Sequence, residues 1–150
     1  SLISGITLAQ CGLGSVHGLA SPLGAYFPIP HGIACGTLVA EATAVNLRAL
    51  AERAPDSPAL AKYARVNALL GGGPKGLATV LRRWVAELGL PGLEAYGMTA
   101  ADIPRVVAES RGSSMKTNPV VLTDDEIIEI LEKRILEKSS RPGIKAIAFP

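Results

Sequence analysis

The chain has 150 residues, of which 48% are apolar and 19% charged, with a formal net charge of +2. That is ordinary globular composition, enough for one domain with a real core. No Lys/Arg run stands out beyond Arg82-Arg83, so nothing calls for nucleic acid or an anionic membrane as a partner. Cys11 and Cys35 are too few for a disulfide framework and are taken as reduced thiols of a cytoplasmic protein. No window offers the roughly 18 uninterrupted apolar residues of a membrane helix, because Glu41 breaks the best run. No basic region precedes an apolar one as in a signal peptide. The sequence starts at Ser1 inside an apolar-periodic segment, and we expect the C-terminal part of something longer.

The periodicity is helical nearly throughout, and alternating Val, Ile and Thr runs are missing. Residues 1–11 predict a helix stopped by Gly12 and Gly14. Ser15–Phe27 predicts a second, with Pro22 as a kink or an early break. Pro28-Ile29-Pro30 is a stiff turn, and Pro30 suits the start of a third helix, His31 to Leu50, apolar nearly all round. Asp56-Ser57-Pro58 opens a fourth, with Leu60, Tyr63, Ala64, Asn67 and Leu70 on one face and Gly71-Gly72-Gly73 at its end. Pro74 to Leu88 follows, with the stripe Leu77, Val80, Leu81, Trp84 and Leu88. Thr99 or Asp102 caps a short helix to Ser110 whose Ile103, Val106 and Val107 face inward. Ser113 to Leu122 is expected as an irregular loop. Thr123 to Glu126 forms a capping box for a last helix with Ile127, Ile128, Leu131 and Ile135 inside. The tail, 139–150, has no assigned structure. The expectation is an all-α domain of about seven helices.

Both histidines, His17 and His31, lie in the glycine-rich stretch from Gly12 to Cys35, fourteen residues apart and each followed by glycine. Two helices joined by a stiff turn can aim two imidazoles at one point, as a metal site requires. The competing reading is two ordinary buried histidines bonded to carbonyls. Two ligands do not close a site; Cys11 and Cys35 are one completion within the chain, and ligands from upstream chain are the other. The glycine clusters are not phosphate loops. Gly12-x-Gly14 reaches His17 where a dinucleotide fingerprint needs a third glycine, and the 71–76 cluster lacks a Gly-Lys-Ser/Thr ending. Lys116 and Asn118 either face a site or cap helices.

The segment GLGSVHGLASPLGAYFPIPHGIACGTLVAEATAVN resembles the signature of the iron-containing (group III) alcohol dehydrogenases, with its Gly-x-Gly-x-x-His-Gly followed by Pro-His-Gly. Asp102-Ile103-Pro104, Asn118-Pro119 and the acidic helix start at Thr123 agree, so the resemblance spans about residues 1 to 138. It implies the C-terminal helical domain of the two-domain dehydroquinate-synthase-like/iron-alcohol-dehydrogenase fold. It also implies a metal, Fe(2+) or Zn(2+), held by one Asp and three His, two of them matching His17 and His31. The other ligands, and the domain binding most of NAD or NADP, would come from outside this sequence. Many members carry a histidine where Ser21 stands, and a hydroxyl relays a proton but is no imidazole-like base. The implied activity is hydride transfer between an alcohol and a nicotinamide, the metal acting as Lewis acid, with Ser21 and Leu13 beside the pocket. A cytoplasmic homo-oligomer acting on a small alcohol or aldehyde is expected. The alternatives are a maleylacetate-reductase-like enzyme, a dehydroquinate-synthase-like lyase with a polyanionic substrate, and a non-catalytic helical association module.

Overall fold

A computed structural model describes residues 2–135. Within them the chain forms eight α-helices: α1 (Leu2–Cys11), α2 (Ser15–Tyr26), α3 (His31–Arg53), α4 (Pro58–Leu69), α5 (Leu77–Glu87), α6 (Ile103–Glu109), α7 (Ser113–Lys116) and α8 (Asp124–Ile135). Three short 3-10 turns, at Gly73–Lys75, Leu93–Tyr96 and Ala100–Asp102, join them, and no strand occurs among the described residues. The all-α expectation holds. The expected tail, 139–150, lies outside the described residues.

The architecture is built round α3. Ala34, Leu38, Ala42, Val45 and Ala49 recur at helical spacing and are almost wholly buried, which gives α3 one long apolar face. α2, α5, α8 and α4 all pack on this helix. By length and hydropathy alone α3 is a helix that can cross a membrane, but this chain's own helices take up that apolar face. Leu19 and Leu23 of α2 and Ile127, Ile130 and Leu131 of α8 complete the core with Val106 of α6.

Charged pairs fasten the outer helices to α3. Glu41, buried in the middle of α3, accepts two bonds from Arg82 of α5, at 2.6 and 2.8 Å. Arg48 donates to Glu129 at 3.0 Å, and Arg53 to Glu126 at 2.8 Å, which ties α8 to the second half of α3. The expected capping box starts α8: the Thr123 amide donates to Glu126 at 2.8 Å and the Glu126 amide to the Thr123 hydroxyl at 3.2 Å.

The structure refines the expected helices in four places. Pro22 sits inside α2 and does not end it. A mid-helix proline costs about 3 kcal/mol, whereas full burial of Leu19 and Leu23 contributes roughly 1.5–3 kcal/mol each. The helix expected from Pro74 starts at Leu77, because Gly76 takes a left-handed φ of 80° and separates it from the preceding 3-10 turn. Its inward face is Leu77, Val80 and Val85, with Trp84 and Leu88 exposed, as α5 packs on α3 and α4. Finally, the stretch expected as a loop contains α7, one helical turn held down by the buried side chain of Met115.

Candidate metal centre

The start of α2 is fixed from far away in sequence. Gly12 has φ +68°, a conformation that strains any other residue, and a Cβ there would meet the Thr117 hydroxyl at 2.7 Å. Thr117 donates to the Leu13 carbonyl at 2.8 Å. Gly14, the residue before α2, has no side chain to cap it, and the Asn118 carboxamide oxygen takes over by accepting from the Ser15 amide at 3.0 Å. His17 therefore begins its helix from a clamped position.

The following turn is equally constrained. The two prolines flank Ile29, which is buried and so pins the turn to the core, and the Ile29 amide donates to the Phe27 carbonyl at 2.7 Å. His31 is the first residue of α3. The result is convergence: the two imidazole centroids lie 5.3 Å apart with their planes at 52°. Neither ring is fully buried, since His17 is half-buried and His31 exposed. Two buried core histidines are thus not what the fold contains.

Cys35 joins them. It lies one turn after His31 on α3, and its Sγ is 3.5 Å from His31 Nε2. One ligating atom from each of His17, His31 and Cys35 fits within a 4.8 Å span. The four-residue set with both cysteines is not assembled, because Cys11 ends α1 exposed and outside this cluster. Burial pushes the Cys35 thiol up from its ordinary value. Two imidazoles and a thiol are donors that suit iron(II) or zinc rather than magnesium or calcium, so the residues present fit the metal the resemblance implies.

A cleft of about 480 Å³ opens beside the cluster, with His17 and Cys35 on its wall together with Gly14, Val39, Thr43 and Asn118. Its floor is a polar network. Asn118 donates to Asn46 at 2.8 Å and to the Val120 carbonyl at 2.7 Å. Asn46 donates in turn toward the Tyr63 hydroxyl at 3.3 Å and the Ser15 hydroxyl at 3.4 Å. Burial raises the Tyr63 phenol, and the Asn46 bond partly offsets it. Of the other expected site residues, Ser21 is exposed one turn beyond His17 on α2, and Leu13 is half-buried just before α2. Neither is part of this cleft's lining. Lys116 is exposed, and Asn118 both caps a helix and lines the cleft.

Sequence reasoning offered Cys35 only alongside Cys11, although its spacing of four from His31 was a legible sign of a shared helix face. Asn46 and Tyr63 carried no local signal, because their partners are distant in sequence.

Fold and site together define an all-helical domain that gathers two histidines and a thiol at the mouth of a cleft. The chain belongs to the Fe-containing alcohol dehydrogenase family, matching its C-terminal part over residues 1–135. It is 28% identical over 144 residues to the 1,3-propanediol dehydrogenase of Citrobacter freundii, covering 89% of this chain and 35% of that protein. To the lactaldehyde reductase of Escherichia coli (strain K12) it is 28% identical over 140 residues, 85% of this chain and 34% of the other. The crystal structure of a 1,3-propanediol oxidoreductase superposes with a TM-score of 0.73 at 26% identity, over 89% of this chain and 36% of that one. The chain spans about a third of the length of these relatives.

Proposed function

We propose that residues 1–138 belong to the C-terminal helical, metal-binding domain of a two-domain, metal- and NAD(P)-dependent oxidoreductase that interconverts a short alcohol and its aldehyde or ketone. The observation that carries this reading is the convergence of His17 and His31, two imidazoles 5.3 Å apart on helices joined by a rigid turn. The family membership and the names of the relatives, a propanediol dehydrogenase and a lactaldehyde reductase, support the reaction type and a small polar substrate.

In this reading His17 and His31 hold iron(II) or zinc, and the remaining ligands and most of the nicotinamide site come from outside these residues. A metal so held supplies Lewis-acid polarisation of the alcohol or carbonyl oxygen, and the hydride chemistry belongs to the nicotinamide. The clamp of Asn118 and Thr117 on the start of α2 fixes the backbone from which His17 projects. We assign Ser21, exposed one turn beyond His17, to the substrate side as a hydroxyl that relays a proton, and Leu13 to the cofactor side.

The test is metal content by mass spectrometry on the two-domain protein purified without oxygen, beside its His31→Ala form, with a screen of short alcohols against both nicotinamides. About one iron or zinc per chain, lost together with activity in His31→Ala, is the expected result. A wild-type protein that holds no metal even after reconstitution overturns the catalytic reading and leaves a helical association module.

A further inference from the structure

We propose that Cys35 is a third metal ligand from this chain, so that His17, His31 and Cys35 together hold a thiophilic divalent ion, zinc or cobalt(II), on the wall of the cleft. The inference rests on the metal-site reading above and names a ligand outside the set of one aspartate and three histidines that the family resemblance implies.

Three observations carry it. His31 and Cys35 are four residues apart on α3, the spacing that stacks two side chains on one helix face and that helical two-ligand metal motifs use. Their separation is also the right one. Zinc bonds of about 2.0–2.1 Å to nitrogen and 2.3 Å to sulfur, at a tetrahedral angle, place the two atoms about 3.5 Å apart. Cys35 Sγ lies 3.5 Å from His31 Nε2. His17 brings its ligating nitrogen into the same 4.8 Å span from the neighbouring helix, a gap that a small side-chain rotation closes to a tetrahedral edge.

The cleft gives the site a function-ready face, because His17 and Cys35 stand on its wall and an ion between them is reachable by a ligand from that side. As the sulfur–metal bond forms, the thiol proton leaves to solvent, and no oxidant or reductant is consumed. Sulfur in the donor set shifts preference toward zinc and cobalt and away from magnesium and manganese.

Cobalt(II) is the probe, since a thiolate ligand announces itself by an intense near-ultraviolet sulfur-to-cobalt charge-transfer band. The 150-residue chain is titrated anaerobically with cobalt chloride, with helicity followed by circular dichroism. The expected result is that band in the wild type and in Cys11→Ser, and its loss in Cys35→Ser with binding weakened about 100-fold, the upper end of what losing even an outer-shell partner costs. Cobalt bound with visible ligand-field bands alone, unchanged in Cys35→Ser, overturns the proposal while leaving the two-histidine reading intact. A helical chain that binds no cobalt overturns it as well, and the metal content of the two-domain protein then judges the family reading separately. If the shorter chain does not fold alone, the same spectrum read on the cobalt-loaded two-domain protein decides between these outcomes.

Discussion

Asn118 shows how much one side chain can carry. Its carboxamide oxygen accepts from the Ser15 amide at 3.0 Å, and its nitrogen donates to Asn46 and to the Val120 carbonyl. One residue thereby caps the helix of His17 from 103 positions away and satisfies a buried asparagine. Asn118→Ala leaves the Asn46 oxygen and the Ser15 amide without that partner, and such orphaned groups cost about 1–3 kcal/mol each when water cannot reach them. We predict a loss of about 2 kcal/mol, read from the urea midpoint, together with weaker metal binding because His17 loses its anchor. Asn118→Asp keeps the acceptor for Ser15 but loses both donors, and it should fall between the two. An alanine variant as stable as the wild type would show that water replaces the carboxamide at no cost.

Among the helices, α2 sets two opposite demands on the same residue type. Gly18 lies against α6 and α7, where a Cβ would come within 3.0 Å of Met115 Cε and 3.1 Å of the Ser110 carbonyl oxygen. Methionine can yield, but the backbone oxygen cannot. Gly24 sits near the exposed end of the same helix with nothing within 4 Å. Alanine gains about 0.5–1 kcal/mol over glycine in a helix, and overpacking costs about 1–3 kcal/mol. Gly18→Ala is therefore predicted to destabilise by about 1–2 kcal/mol and to displace His17, whereas Gly24→Ala stabilises by about 0.5–1 kcal/mol. Thermal denaturation of the two variants side by side checks both signs. Equal shifts in the same direction would mean that α2 does not press on α6 and α7 as described. Helix α1 makes a third element-level contrast. Leu2 and Ile3 are more than three-quarters exposed, so their face contributes little to the stability of the described domain.

At the scale of the whole molecule, three glutamates on α3 and α8 make stability a function of pH. The Arg82 guanidinium holds Glu41 below the ordinary carboxylate range, and Arg53 does the same for Glu126. Arg48 first, and then Lys133, bring Glu129 down to about 2. A carboxylate with a depressed pKa binds fewer protons folded than unfolded, so its stabilisation is complete above the unfolded value of about 4.3. It is lost as pH falls through the folded value. The urea midpoint should thus stay level near neutrality and drop steadily below about pH 4.5. Glu129→Gln should flatten the acid limb, because the charge that is protonated last has gone. The arginines are about two-fifths exposed, so solvent screens each pair and the effect is cumulative rather than large for any one. An acid limb unchanged in Glu129→Gln would place the sensitivity elsewhere.

Most of the helices were legible because their causes are local. The Thr123–Glu126 box, the Ser57-Pro58 start and the Pro-Ile-Pro turn each fix the backbone within a few residues. The buried stripe of α3 and the family signature around His17 and His31 were likewise present in the order of residues. What the sequence by itself determined is the all-helical class and the two histidines. Only the tertiary structure decided that α2 continues through Pro22, that Val85 rather than Trp84 faces inward, and that Cys35 joins the histidines while Cys11 does not. It alone also brought Asn118 to the start of α2. Local propensities amount to about 1 kcal/mol per residue at most outside proline, while burial and long-range hydrogen bonds act between residues that no sequence window contains.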